Sequence, residues 1–291
     1  MLDNAVAKLT SQKWLREAIG GRAKNFVNSI GFAPTVIERN VIGEKYLFFI
    51  ANVTGKSWYG AKTDASHEMT FVKHNLVKPG DVVIECGGHH GAQTILLSRW
   101  VGDDGKVIVV EPIPENVAIL KKNIALNELK NVVVVLKAAA ARSGHVTMRP
   151  DSNGSVAYDG KFNNGLEVES ISLDDLAAEL NIKPDFIKID VEGFEYQVLD
   201  GAENILATTP ALFVEVHTLS LPRYGSAFED LWKMISPELY EISMQIEDSE
   251  APTRYTGRTA PAARVHLFFK PRQSKRSVAN DQEGTQSFGA R

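Results

Sequence analysis

Cysteine is nearly absent: the 291-residue chain has one, Cys86, so no internal disulfide can staple it. Long apolar runs are missing too, since the stretch from Asn131 to Ala141 falls far short of the roughly 20 residues a bilayer-spanning helix requires. The opening residues MLDNAVAKLTSQKW contain neither the apolar core nor the cleavage segment of a secretory leader. The expectation is a cytoplasmic protein without a membrane span. Nor does one sign of charge dominate. The 32 basic and 36 acidic residues are spread along the chain and give a formal net charge of -4, which leaves no electrostatic footprint for nucleic acid or anionic lipid. A small or neutral substrate fits better. No internal repeat or low-complexity tract is visible. What is plentiful is core material, 44% hydrophobic residues against 23% charged, enough for one full catalytic domain.

From Asn4 to Ile30, Trp14, Leu15, Ala18 and Phe26 alternate with basic residues at spacings that suit a short helix pair. From Thr35 to Tyr59, TVIERN, KYLFFIANV and KSWYG read as two or three strands turning at Gly43 and Gly55. A helix from Ser66 to Val77 should end at Lys78-Pro79-Gly80, because proline cannot continue a helix and glycine tolerates the reversal. Thereafter short β-branched runs alternate with amphipathic stretches, the pattern of repeated βα units and an α/β fold. The expected strands are Val82 to Cys86, Lys106 to Glu111, Val132 to Lys137, Asp185 to Asp190 and Ala211 to His217; their nearly unbroken apolarity suits a parallel sheet covered on both faces.

Between these strands, Pro114 to Leu126 opens a helix with proline in its first turn. Ser172-Leu173-Asp174-Asp175 resembles a capping box for a helix that carries Leu176 and Leu180 inward. Phe194, Val198, Leu199, Ala202, Ile205 and Leu206 form a helical stripe facing the core. Beyond a helix near Phe228 to Ile235, Tyr240 to Ile246 and Arg264 to Lys270 read as strands able to pair antiparallel, followed by a polar tail.

In an open parallel sheet, ligands bind beyond the carboxyl ends of the strands, where the strand order reverses. Four separated strands deliver ionisable groups to that edge: Glu85-Cys86-Gly87-Gly88-His89-His90-Gly91 after the first, Glu111 after the second, Asp190-Val191-Glu192-Gly193 after the fourth and Glu215-Val216-His217 after the fifth. Gly87 and Gly91 let the backbone turn tightly and approach a ligand, while the next helix offers amide N–H groups and a positive dipole end. A carboxylate at Glu111, one βα unit later, can accept both ribose hydroxyl protons of an adenosine cofactor. The loop lacks the G-x-G-x-x-G order of a nicotinamide site, which favours S-adenosylmethionine.

The blocks LVKPGDVVIECGGHHGAQTILLS, GKVIVVEPIPENVAILKKNIALNEL, ISLDDLAAEL, DFIKIDVEGFEYQVLDGAENIL and LFVEVH, in that order from about His67 to His217, resemble the FkbM-type methyltransferases. The resemblance covers roughly half the chain. It implies a doubly wound, mostly parallel, seven-stranded Rossmann-like methyltransferase sheet with a C-terminal antiparallel hairpin. It also implies S-adenosylmethionine as cofactor and methyl transfer to a hydroxyl on a sugar, polyketide or related metabolite. The chain then divides into an appendage (1–64), a methyltransferase domain (65–270) and a disordered tail (271–291). The family's usual D-x-G-A-N-x-G loop is altered here, Glu85, Gly88 and His89 standing for the aspartate, alanine and asparagine. Glu68 is the counterpart of a glutamate the family carries ahead of its first strand. Cofactor contacts are thus expected from Glu68, Glu85, Gly87, Gly88, His89, Gly91 and Glu111.

An alcohol nucleophile needs a base, and His217 or Asp190 is the expected catalytic residue, with Glu215 on the same strand face as His217 to orient the imidazole. Trp58 and Tyr59 could stack on a sugar or simply pack, and the Asn- and Gly-rich stretch Arg149 to Gly165 could form a substrate loop. Adjacent His89 and His90 cannot easily face one ion, so no metal site is expected. The acceptor should be a small molecule or glycan. Rival readings are a non-catalytic S-adenosylmethionine-binding protein and an NAD(P)-dependent oxidoreductase.

Overall fold

The computed structural model describes residues 32–61, 63–64, 66–149, 155–156, 165–247 and 250–272. The helix pair expected before residue 31, most of the Asn- and Gly-rich stretch and the tail beyond Arg272 lie outside these residues.

Two runs that alternate buried and exposed residues form the antiparallel strands β1 (Thr35–Val41) and β2 (Glu44–Ile50). Ile42 and Gly43 join them, both at positive φ, as a two-residue hairpin turn of right-handed twist requires. The expected third strand at KSWYG is instead helix α1 (Val53–Tyr59). Its aromatic residues carry strand propensity, but the Asn52 side chain accepts the Gly55 N–H at 2.7 Å and opens a helix. Gly55 lies within that helix and makes no turn; a Cβ there would stand 3.0 Å from the His90 ring. β3 (Thr63–Asp64) pairs parallel with β1. Ser66 caps α2 (His67–Asn75), which ends ahead of Pro79.

The βα series follows as β4 (Val82–Cys86), α3 (Ala92–Val101), β5 (Lys106–Val110), α4 (Pro114–Leu126) and β6 (Val132–Val135). A small sheet of order β7-β9-β8, absent from the sequence reading, then interrupts it: β7 (Ala138–Ala139), β8 (Gly144–Met148) and β9 (Leu166–Ile171). Ser172 caps α5 (Leu173–Leu180), accepting the Asp175 N–H, but its own N–H goes to Ser143 Oγ, so the reciprocal half of the capping box is not formed. Leu176 is buried as expected. Leu180 is 38% exposed at the helix's last turn, where the chain reverses through left-handed Asn181.

The series resumes with β10 (Phe186–Ile189), α6 (Glu195–Asp200), α7 (Glu203–Leu206) and β11 (Ala211–His217). The single helix expected over 194–206 is broken at Gly201, whose carbonyl accepts Asp174 N–H at 3.0 Å and whose Cα lies against the backbone of 140–141; a Cβ there would meet Ala140 O at 2.3 Å. A 3-10 turn at Phe228–Asp230 leads into α8 (Leu231–Met234), and β12 (Tyr240–Ile246), β13 (Thr253–Arg254) and β14 (Arg264–Pro271) complete the fold.

The main sheet has eight strands in the order β13-β12-β14-β11-β10-β4-β5-β6. Strands β11 to β6 in that order run parallel, and β14 pairs antiparallel with both β11 and β12, as the hairpin expectation held. The eighth strand is the two-residue β13 on the edge. Ile84, Ile108 and Ile187 pack under α5 and α6 on one face. Val83, Val107 and Phe186 pack on the other against β2, α2 and α3. By two-residue alternation, Glu85, Glu111 and Lys188 belong to this second face, the one the N-terminal strands cover. No helix among the described residues is long and apolar enough to cross a membrane.

Candidate active site

From β4 the chain steps outward through β5 to β6, then returns to β10 on the other side of β4 and steps away through β11. The strand order therefore reverses between β4 and β10, and a crevice opens at their carboxyl ends. Gly87 and Asp190 meet there. A Cβ on Gly87 would lie 1.9 Å from Asp190 O, and Gly87 takes φ +83°. Gly88 and Gly91 are closed less rigidly, by the side-chain methyls of Val109 at 2.2 Å and Leu120 at 2.5 Å. The loop thus hugs the sheet, and Gly87, Glu111, Pro112, Asp190, Val191 and Phe194 line a cleft beside it.

The loop's amides are less available than the sequence suggests. Gly87 N–H donates to Val110 O, Gly91 N–H to Gly88 O, and His89 N–H to Glu111 Oε2 at 2.8 Å. Glu111 also accepts from Ile113 N–H at 3.0 Å and Asn116 Nδ2 at 3.1 Å, both on Oε1. A carboxylate offers about four acceptor positions. One is left, on Oε2, so Glu111 has room for a single ribose hydroxyl bond where two were expected. Burial raises its carboxyl pKa and the three donors oppose that.

Glu85 is buried beneath the loop and accepts from Thr94 Oγ1 at 2.6 Å. Burial raises its pKa, and Lys188 opposes the rise. Lys188, itself buried in β10, donates to Gly87 O at 3.2 Å and Asp190 Oδ2 at 3.3 Å and stands 3.8 Å from Glu85 Oε1. Burial disfavours its charge, but Asp190, Glu85 and Glu215 outweigh that and raise its pKa. One ammonium therefore ties two strands to the glycine loop.

His217, at the end of β11, donates from Nδ1 to Glu195 Oε1 at 2.9 Å. Its Nε2 lies 3.6 Å from Glu192 and 3.8 Å from Glu215. The orienting carboxylate is thus Glu195, whereas Glu215 is engaged by Arg264 at 3.2 Å and His266 at 3.5 Å. Burial favours the neutral ring, but Glu195, Asp190 and Glu192 outweigh it and lift His217 to about 9. Glu192 is lifted to about 7 chiefly by burial. Burial also pushes Glu215 up, yet His266, Arg264 and His217 hold it at about 2. Ligand atoms of Asp190, Glu192 and His217 lie within 4.8 Å of one another, a spacing a cation could bridge.

The structure therefore gathers Glu85, Gly87, Gly88, His89, Gly91, Glu111, Asp190 and His217 at one edge. Glu68 stands apart in the first turn of α2, where the helix dipole favours a carboxylate; no hydrogen bond or ion pair links it to the loop among the described residues. Sequence reasoning missed Lys188 and Glu195. A lone lysine inside the apolar run FIKI was a visible signal for the first. Tyr59 and Trp58 both reach the loop: Tyr59 Oη lies 2.8 Å from His89 Nδ1, and the Trp58 ring sits 4.9 Å from the His89 ring.

The model of the Methyltransferase FkbM domain matches residues 85–242, just over half of the chain. A hexuronic acid methyltransferase of Haloferax volcanii is 28% identical over 163 residues, which span 54% of this chain and 62% of that one. The chain thus covers less than two thirds of this relative's length. Among solved structures, an FkbM methyltransferase from Methylobacillus flagellatus aligns with a TM-score of 0.43 at 18% identity, over 67% of this chain and 44% of its own. An S-adenosylmethionine-dependent O-methyltransferase from Thermotoga maritima aligns with a TM-score of 0.42 at 15% identity, over 84% and 80% respectively.

Proposed function

The chain belongs to the FkbM methyltransferase domain family, and from that premise we propose that it moves a methyl group from S-adenosylmethionine to a hydroxyl of a sugar or related metabolite. The observation that carries the reading is the crevice at the strand reversal, with the close-packed glycine loop on one wall and His217 among carboxylates on the other. S-adenosylmethionine fits the first wall: Gly87 keeps the backbone within reach, Glu111 Oε2 retains one acceptor position, and Asp190 across the cleft favours a cationic guest. When bound, it supplies a methyl group already activated by a positive sulfonium.

The protein's task is then to place and deprotonate the acceptor. His217 is the base: Glu195 fixes Nδ1 as the protonated nitrogen, leaving Nε2 to accept the hydroxyl proton. With its pKa raised to about 9, the ring is mostly protonated at neutral pH, so turnover should climb with pH toward that value. Asp190 holds Lys188 and faces the same crevice. The uronic acid acceptor of the Haloferax relative supports a sugar or glycan as substrate class here.

The test pairs calorimetry with turnover. Wild-type protein should bind S-adenosylmethionine and its demethylated product but not NAD, and should transfer labelled methyl to a panel of uronic acids and neutral sugars. His217→Ala should cut turnover by roughly 10² to 10⁴-fold with cofactor affinity largely kept, and Asp190→Asn should also reduce it. Retained turnover in both would dismiss the catalytic assignment; binding without any turnover would make the protein a binder, and affinity for NAD would overturn the cofactor.

A further inference from the structure

The N-terminal elements lie outside the residues that match the family model, yet they are bolted to its glycine loop. Asn123 of α4 accepts Phe49 N–H of β2 at 2.7 Å and donates to His90 O at 2.8 Å. From α1, Trp58 lies over one face of the His89 ring at 4.9 Å, and His90 stacks on it at 3.9 Å with planes 18° apart. Stacking fixes the plane of the ring. The Tyr59 hydroxyl, 2.8 Å from Nδ1, fixes which edge faces which way.

The position of the proton follows from counting partners. If Nδ1 carried it and donated to Tyr59, both the phenol hydrogen and the Nε2 lone pair would be left without a partner. If the phenol donates to Nδ1, only one group is unmatched: Nε2–H, a buried donor with no partner in the protein. An orphaned buried donor is costly to the fold unless a ligand satisfies it. Burial, His90 and Lys188 together keep this ring neutral, so it bears a single N–H.

An anionic group of a guest would need such a donor. The wall beside it carries Glu85, Glu111 and Asp190, all of which act on the Tyr59 phenol, and burial together with them raises its pKa. Of the loop's backbone N–H groups, those of Gly87, His89 and Gly91 are spent within the protein, which leaves Gly88 and His90, and Lys188 is committed to Gly87 O, Asp190 and Glu85. Resting on the cofactor reading above, we propose that Tyr59 is a positioning residue that locks the tautomer of His89, whose Nε2–H binds the carboxylate of the amino-acid end of S-adenosylmethionine. The segment ahead of the family domain thereby completes its cofactor site. His89 is the donor standing where the family's loop has asparagine, and unlike an amide it needs a neighbour to hold its proton on the correct nitrogen.

Calorimetry on the full chain with S-adenosylmethionine and with its decarboxylated form, which keeps the sulfonium, amine and adenosine, isolates that contact. Wild type should prefer the carboxylated ligand by roughly 10-fold or more. Tyr59→Phe should shrink the preference about 3- to 10-fold with the decarboxylated ligand bound as before; His89→Ala should erase it; and His89→Asn should keep it and make Tyr59→Phe silent. Imidazole ¹⁵N spectra should show protonated Nε2 in wild type and a tautomer mixture in Tyr59→Phe. Equal weakening of both ligands by Tyr59→Phe, or protonated Nδ1 in the wild-type spectra, overturns the assignment and leaves the cofactor reading standing. Failure of wild type to bind either ligand removes the cofactor reading and this assignment with it.

Discussion

The loop after β4 and the loop after β10 face each other across one crevice, yet they are built from opposite materials. In the first, glycines without room for a Cβ bring backbone against sheet, and burial holds both histidines neutral, His90 at about 4. In the second, Asp190, Glu192 and Glu195 crowd around His217 with Glu215 close by, and two members are poised at about 7 and about 9. A wall of fixed shape and fixed protonation suits a ligand held the same way each turn. A wall of interacting titratable groups suits exchange of a proton with an acceptor.

The largest effect should come from spoiling the first wall's shape. Gly87→Ala places a Cβ 1.9 Å from Asp190 O at a positive φ that alanine resists, so the loop must leave the sheet. Calorimetry should then find no measurable S-adenosylmethionine binding. Near-normal affinity would mean that the loop is pliable and the contrast false. Lys188 joins the two walls, and Lys188→Met leaves Glu85 and Asp190 buried without their cation. Denaturant unfolding should show a loss of about 3–5 kcal/mol, whereas a loss under 1 kcal/mol would mean that the walls are held independently.

The two walls were unequally legible from sequence, for physical reasons. Strands buried on both faces leave apolar runs, so β4, β5, β10 and β11 and the groups at their ends were found within a residue or two. Proline at the first turn of α4 and the Lys78-Pro79-Gly80 stop after α2 announced those helices. The small sheet left weaker marks: Ala138–Ala139 is too short to show a period, although LEVESI in β9 does alternate. KSWYG misleads because its aromatic residues favour a strand, while the side chain of Asn52 caps a helix there. Glu195 is one of many helical glutamates by sequence, and only the return of β11 beside α6 brings it to His217. Tyr59 reads from sequence as a sugar-stacking or packing aromatic, and its bond to His89 is hidden because a contact spanning 30 residues has no local signature.

The second wall's defining property, titration near neutral pH, yields the finest test. A raised imidazole pKa contributes stability that is complete below the unfolded value of about 6.5 and disappears as pH climbs through about 9. Glu192, raised to about 7, works in the same direction over a lower window: its protonated form is favoured in the fold, so its contribution fades between about 4.5 and 7. Melting of the wild-type protein should therefore reveal a loss on the order of 1–3 kcal/mol from this cluster between pH 6.5 and 9. Glu195→Gln keeps an acceptor for Nδ1–H and removes the charge, so His217 should titrate lower and the slope in that interval should flatten. The turnover profile should move to lower pH alongside it, because the base loses its proton earlier. A flattened stability slope with an unmoved turnover profile would separate the two properties: Glu195 would be holding the fold, and the proton acceptor would have to be sought at Asp190 or Glu192.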